Sequence, residues 1–101
     1  MANVTKRIEN DTLYFELAGR VDTSNANQVE QAIQNIKSEN SASNYIVDAA
    51  QLEFISSAGL RVLLATQKSM GKKGKMIVKE VNDTVMEIFN ITGFLDILTI
   101  E

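Results

Sequence analysis

The sequence predicts an α/β fold in which a mixed β-sheet opens with a hairpin and carries its helices on one face. Three observations point there. Two strand-like runs, residues 4–9 and 12–19, are separated only by Asn10-Asp11, a tight-turn pair. After them, segments with the apolar period of a helix alternate with short apolar runs of the kind that buried parallel strands show. Right-handed crossovers between such strands place successive helices on the same side of a mostly parallel sheet.

Each element has its own warrant. In residues 12–19, Leu13, Phe15 and Leu17 alternate with Tyr14 and Glu16, the two-residue period of a half-buried strand. Residues 25–37 form a helix with Val29, Ala32, Ile33 and Ile36 on one face, capped by Asp22, Thr23 or Ser24. A polar stretch, 38–44, leads to the short strand Tyr45-Ile46-Val47-Asp48, and Leu52, Phe54 and Ile55 carry the chain to paired serines. Leu60, Val62, Leu63 and Leu64, with Gln67 and Met70, describe a strongly apolar helix that Gly71 ends. Residues 75–80 are a second buried strand around Met76, Ile77 and Val78. Asn82 or Asp83 caps a third helix with Val85, Ile88 and Phe89 inside, Gly93 closes it, and 97–100 are a last short strand. With no proline in the chain, no helix is forced to kink.

Composition narrows the function. The chain has 101 residues, of which 45% are hydrophobic, enough to build the core of one domain spanning residues 1–101. A net charge of -3 argues against nucleic acid as a partner, and the only basic run, Lys72, Lys73 and Lys75, lies among glycines as a solvated turn. No run approaches the roughly 20 apolar residues of a membrane span, and no signal peptide opens the chain, so it reads as cytoplasmic. Histidine and cysteine are both absent. That removes the commonest general base, two metal ligands and the strongest nucleophile, and it weighs against an enzyme. The acids, among them Glu30, Glu39 and Glu87, are scattered rather than paired. Gly71-Lys72-Lys73-Gly74-Lys75 lacks the spacing of a phosphate loop. No catalytic residue, metal or cofactor is expected.

The informative segment is Ser56-Ser57-Ala58-Gly59-Leu60, where a strand hands over to a helix. Serine there satisfies an unpaired amide of the first turn, and the positive end of the helix dipole favours negative charge. A hydroxyl at this place either caps the helix or receives a phosphoryl group.

The stretch from Phe54 to Leu64, FISSAGLRVLL, resembles the signature of STAS domains, the module of bacterial anti-sigma factor antagonists and of the cytoplasmic tails of sulfate-type anion transporters. Gly19-Arg20-Val21-Asp22 resembles the turn ahead of that family's first helix, and residues 85–93 resemble its last helix with its terminal glycine. The resemblance spans nearly the whole chain, and the absence of a membrane span favours a free-standing antagonist. Where the family has Asp-Ser-Ser/Thr-Gly-Leu, this chain has Ser56 in the place of the aspartate, Ser57 in that of the phosphorylated serine and Ala58 in that of the second hydroxyl residue.

The resemblance implies an anti-sigma factor antagonist that binds a partner which is both anti-sigma factor and serine kinase. Binding releases a sigma factor, and phosphorylation of Ser57 ends it; Ser56 ranks second as acceptor. The kinase supplies ATP and magnesium. A phosphatase and other STAS domains are the further partners. The implied docking surface comprises Asp22, Thr23, Ser24, Ser56, Ser57, Ala58, Gly59 and Arg61. Each has a plainer reading beside it: Ser57 as a helix cap, Asp22 and Thr23 as caps of the first helix, Gly59 as a close packing point, Arg61 as a solvated cation. Leu60, Leu63 and Leu64 are expected in the core. Two other functions fit the same residues, a phosphorylation-independent STAS scaffold and an accessory module for lipid or anion transport. A response-regulator receiver, suggested by Asp48 at a strand end, lacks the expected acidic pair.

Overall fold

The computed structural model describes residues 3–40, 42–70 and 74–101. In chain order they form β1 (Asn3–Glu9), β2 (Thr12–Val21), α1 (Ala26–Glu39), β3 (Asn44–Ile55), α2 (Ser57–Ser69), β4 (Lys75–Lys79) and α3 (Asp83–Thr92), followed by a 3-10 turn, Phe94–Asp96. The sheet order is β1-β2-β3-β4; the first pair is antiparallel and the other two are parallel. Glu9 faces Thr12 across a two-residue turn, and Asn10 takes a positive φ of 55°, which asparagine tolerates better than most residues.

The alternation in β2 buries Leu13, Phe15, Leu17 and Val21. Those side chains share one face with Tyr45, Val47, Ala49, Met76 and Val78, and all three helices bring apolar residues to that same cluster: Val29 and Ile33, Leu60 and Leu63, Val85 and Phe89. The helices therefore cover one side of the sheet, as expected. The Phe15 and Tyr45 rings meet edge to face, with centroids 5.3 Å apart. Each fully buried apolar side chain contributes about 1.5–3 kcal/mol.

Three local expectations change. The two short runs at 45–48 and 52–55 are one continuous strand, β3, and Asp48 lies within it, accepting a hydrogen bond from the Ala50 amide at 3.0 Å. Against β2, β3 carries one extra residue between Asp48 and Gln51 and another between Leu52 and Phe54. Each bulge reverses the strand's phase. Strict alternation after Ala49 would bury Gln51 and Glu53; the first bulge leaves both exposed and turns Leu52 inward, and the second restores the original phase, so that Ile55 is buried. β2 also runs past Gly19, whose φ is 87°, as far as Val21. The last strand expected at 97–100 is reduced to a single parallel bridge between Val78 and Ile100, because the 3-10 turn consumes the chain length it needed.

Asn82 caps α3: its Oδ1 accepts from the Val85 amide at 2.8 Å, and its Nδ2 donates to the buried Leu52's carbonyl at 2.7 Å. Asn82→Ala removes both bonds and is expected to cost about 2 kcal/mol in urea unfolding, against a few tenths for Asp83→Asn. Gly93 ends α3 at φ 82°, the left-handed conformation that glycine adopts freely. Gly71 as the end of α2, and Lys72 and Lys73 of the basic run, lie outside the described residues; within them α2 closes at Met70.

Candidate functional site

β2 and β3 end side by side, with Val21 paired to Ile55, and the chain beyond each strand forms one half of the site. The Ser56 amide donates to the Val21 carbonyl at 2.8 Å and locks the two halves together. The sequence places Asp22-Thr23-Ser24 and Ser56-Ser57 more than thirty residues apart; the sheet brings them to one edge.

The two serines divide the roles that the sequence left undecided between them. Ser56 is the cap of α2: extended at ψ 176°, it accepts from the Gly59 amide through its hydroxyl at 3.4 Å, and its carbonyl accepts from the Leu60 amide at 2.9 Å. Ser57 is not the cap. It is the first helical residue and exposed, and its hydroxyl has no hydrogen-bond partner among the described residues. Gly59 is buried directly beneath. A β-carbon there would stand 2.6 Å from Ile55 Cγ1 and 2.8 Å from Val21 Cγ1, so the glycine is required by its own sheet and cannot itself face a partner. Leu60 and Leu63 are in the core, and Leu64 is half-buried.

In the second half, neither Asp22, Thr23 nor Ser24 caps α1. The cap position belongs to Asn25, whose side chain points backward instead, accepting from the Asp22 amide at 2.9 Å and donating to the Arg20 carbonyl at 2.8 Å. Asp22 accepts from the Ser24 hydroxyl at 2.5 Å and from the Ser24 amide at 3.0 Å. These bonds, the hydroxyl's first, hold the Asp22 carboxyl below the ordinary aspartate pKa. A lowered folded-state pKa means the turn's support is complete above the unfolded value and lost as pH falls through the folded one. Ser24 amide shifts in an acid titration should therefore report a midpoint below that of a free aspartate. Thr23 and Ser24 are exposed.

Arg20 lies over the Phe54 ring, 4.4 Å from guanidinium carbon to centroid, and braces the strand ends from the side. Between α1 and α2 runs a groove of about 330 Å³ lined by Ala26, Asn27, Glu30, Ala58 and Arg61, among others. Ala58 and exposed Arg61 thus flank Ser57 as expected. Asn25, Asn27 and the Arg20–Phe54 stack were not singled out by sequence: the cap of α1 was expected among Asp22, Thr23 and Ser24, with Asn25 already in the helix, and the stack depends on strand register. The arrangement offers an exposed hydroxyl, without a hydrogen-bond partner among the described residues, at the head of a helix. Among the described residues no cluster of three or more metal-ligating side chains occurs, and no helix is long and apolar enough to cross a membrane.

The STAS domain family profile matches residues 3–101. The chain is 38% identical over 87 residues to BtrV of Bordetella bronchiseptica, assigned as an anti-sigma factor antagonist, covering 83% of this chain and 72% of that protein. It is 29% identical over 72 residues to the anti-sigma-F factor antagonist RsfB of Mycobacterium tuberculosis, covering 71% of this chain but only 58% of RsfB. In fold it is similar to the crystal structure of an anti-sigma factor antagonist from Mycobacterium paratuberculosis, with a TM-score of 0.88 at 21% identity over 99% of this chain and 85% of that one.

Proposed function

The chain belongs to the STAS domain family, and on that premise we propose that it is an anti-sigma factor antagonist switched off by phosphorylation of Ser57. The observation that supports this most is the division of labour at the head of α2. Because Ser56 meets the helix's capping need, the Ser57 hydroxyl is free and exposed.

Unmodified, the domain docks onto a cytoplasmic anti-sigma factor that is also a serine kinase. The docked surface is the first turn of α2 with Ala58 and Arg61, together with the 22–24 turn, and docking displaces the sigma factor. The kinase brings ATP and magnesium, and the γ-phosphoryl group passes to Ser57 Oγ. ADP leaves, and the hydroxyl proton goes to the kinase's base. This chain is substrate and ligand, not enzyme. A phosphatase resets it by hydrolysing the ester.

The added charge of about -1.5 to -2 sits well within the free domain, beside the unpaired amides of α2. In a desolvated interface the same charge is costly, and about 2–3 kcal/mol weakens binding roughly 30- to 150-fold. The test is sigma release from the purified anti-sigma complex. Unmodified protein should release sigma in proportion to its concentration, and protein phosphorylated at Ser57 should not. Equal release by both forms would refute the reading.

A further inference from the structure

The C-terminal end of the molecule has a surface unlike the rest. Residues 80–101 hold five of the thirteen acids, Glu80, Asp83, Glu87, Asp96 and Glu101, and none of the ten lysines and arginines; Lys79, just before them, pairs with Glu101 at 3.9 Å, and Asp83 and Glu87 are the acids on the outer face of α3. The same segment exposes apolar side chains. Ile91 is 75% exposed, Ile97 45% and Leu95 39%, whereas Val85 and Phe89 already serve the core. On the outer face of α3, Asp83, Met86, Glu87, Asn90 and Leu95 line a shallow groove of about 360 Å³. The four α3 residues of this groove follow the i, i+3, i+4, i+7 spacing of one helix stripe, and Ile91, four residues after Glu87, extends it.

We propose that this face docks a second protein partner through a basic amphipathic helix, whose apolar side chains cover Ile91 and Leu95 while its lysines or arginines reach Asp83 and Glu87. Charge selects the occupant. An acidic rim repels the phosphates of nucleic acid and of anionic lipid, and it attracts a cationic polypeptide that also has apolar surface to bury. The Asp83 end of this face lies toward the strand ends that carry Ser57, since Asn82 donates to the Leu52 carbonyl of β3 at 2.7 Å, and its Ile97 end lies away from them. Gln67 donates to the Ile97 carbonyl at 3.0 Å, tying this region to the far end of α2, ten residues or about 15 Å along the helix from Ser57.

The probe is a synthetic helix with leucines at i, i+3, i+4, i+7 and lysines elsewhere, titrated into methyl-labelled full chain. The Ile91, Leu95 and Ile97 methyls should shift saturably, and the affinity should fall about tenfold in Ile91→Ser and in Glu87→Lys. An analogue with glutamates for lysines should not bind. Equal binding of that analogue, unchanged affinity in both variants, shifts centred on the Ser57 end, or self-association through this patch would each overturn the proposal. Ile91→Ser should also leave phosphorylation of Ser57 unchanged. Its loss there would merge the patch with the kinase interface and overturn the claim of a second partner.

Discussion

Ser57→Glu is expected to weaken docking onto the anti-sigma factor about 100-fold while leaving the domain as stable as the parent or slightly more so. The two effects separate because they arise in different surroundings. In the free domain the new carboxylate stands at the first position of α2, where dipole and unpaired amides favour negative charge by about 0.3–1 kcal/mol. In the complex the same group must lose its water. Calorimetric titration paired with thermal unfolding distinguishes this from misfolding, which would lower both affinity and melting temperature. Ser57→Ala, which removes the hydroxyl but adds no charge, should bind as the parent does and resist modification. Ser56→Ala has the opposite signature: it removes a cap and costs about 1 kcal/mol of stability.

Gly59→Val is expected to destabilise the domain by about 3 kcal/mol, from overpacking at the point where α2 meets the sheet. The first added carbon already falls 2.6 Å from Ile55 Cγ1 and 2.8 Å from Val21 Cγ1, both on fully buried side chains at the ends of β3 and β2. Neither has room to withdraw. Gly59→Ala gains about 1 kcal/mol of helix propensity against that overlap, so its net cost should be smaller, about 1 kcal/mol. Relief must come from lifting the start of α2, which carries Ser57 away from the 22–24 turn. Docking should therefore decline with stability in this series, in contrast to Ser57→Glu, where it declines alone. Urea unfolding and binding measured on the same samples decide between the two patterns.

Where hydrophobic period alone sets an element, the sequence was sufficient. The hairpin, the three helices and the parallel strands follow from spacing, and the glycine after Thr92 ends α3 as its conformational freedom suggests. What escaped was set by register and by competition among similar residues. The bulges of β3 interrupt the alternation at Gln51 and Glu53, and they hide a twelve-residue strand behind two short runs. The fate of 97–100 depended on a 3-10 turn that no periodicity announces. At the site, the serine pair marked the right place, yet both hydroxyls suited the cap, and only the extended backbone of Ser56 assigns it. The backward-reaching side chain of Asn25 was concealed in the same way, because Asp22, Thr23 and Ser24 all suited the cap and Asn25 read as the first helical residue.

Phosphosite mapping on the chain after incubation with its purified anti-sigma partner, ATP and magnesium tests the switch most directly. One phosphate, localised to Ser57, absent from Ser57→Ala and retained in Ser56→Ala, is the predicted result; an unmodified chain, or a phosphate on Ser56, would contradict it.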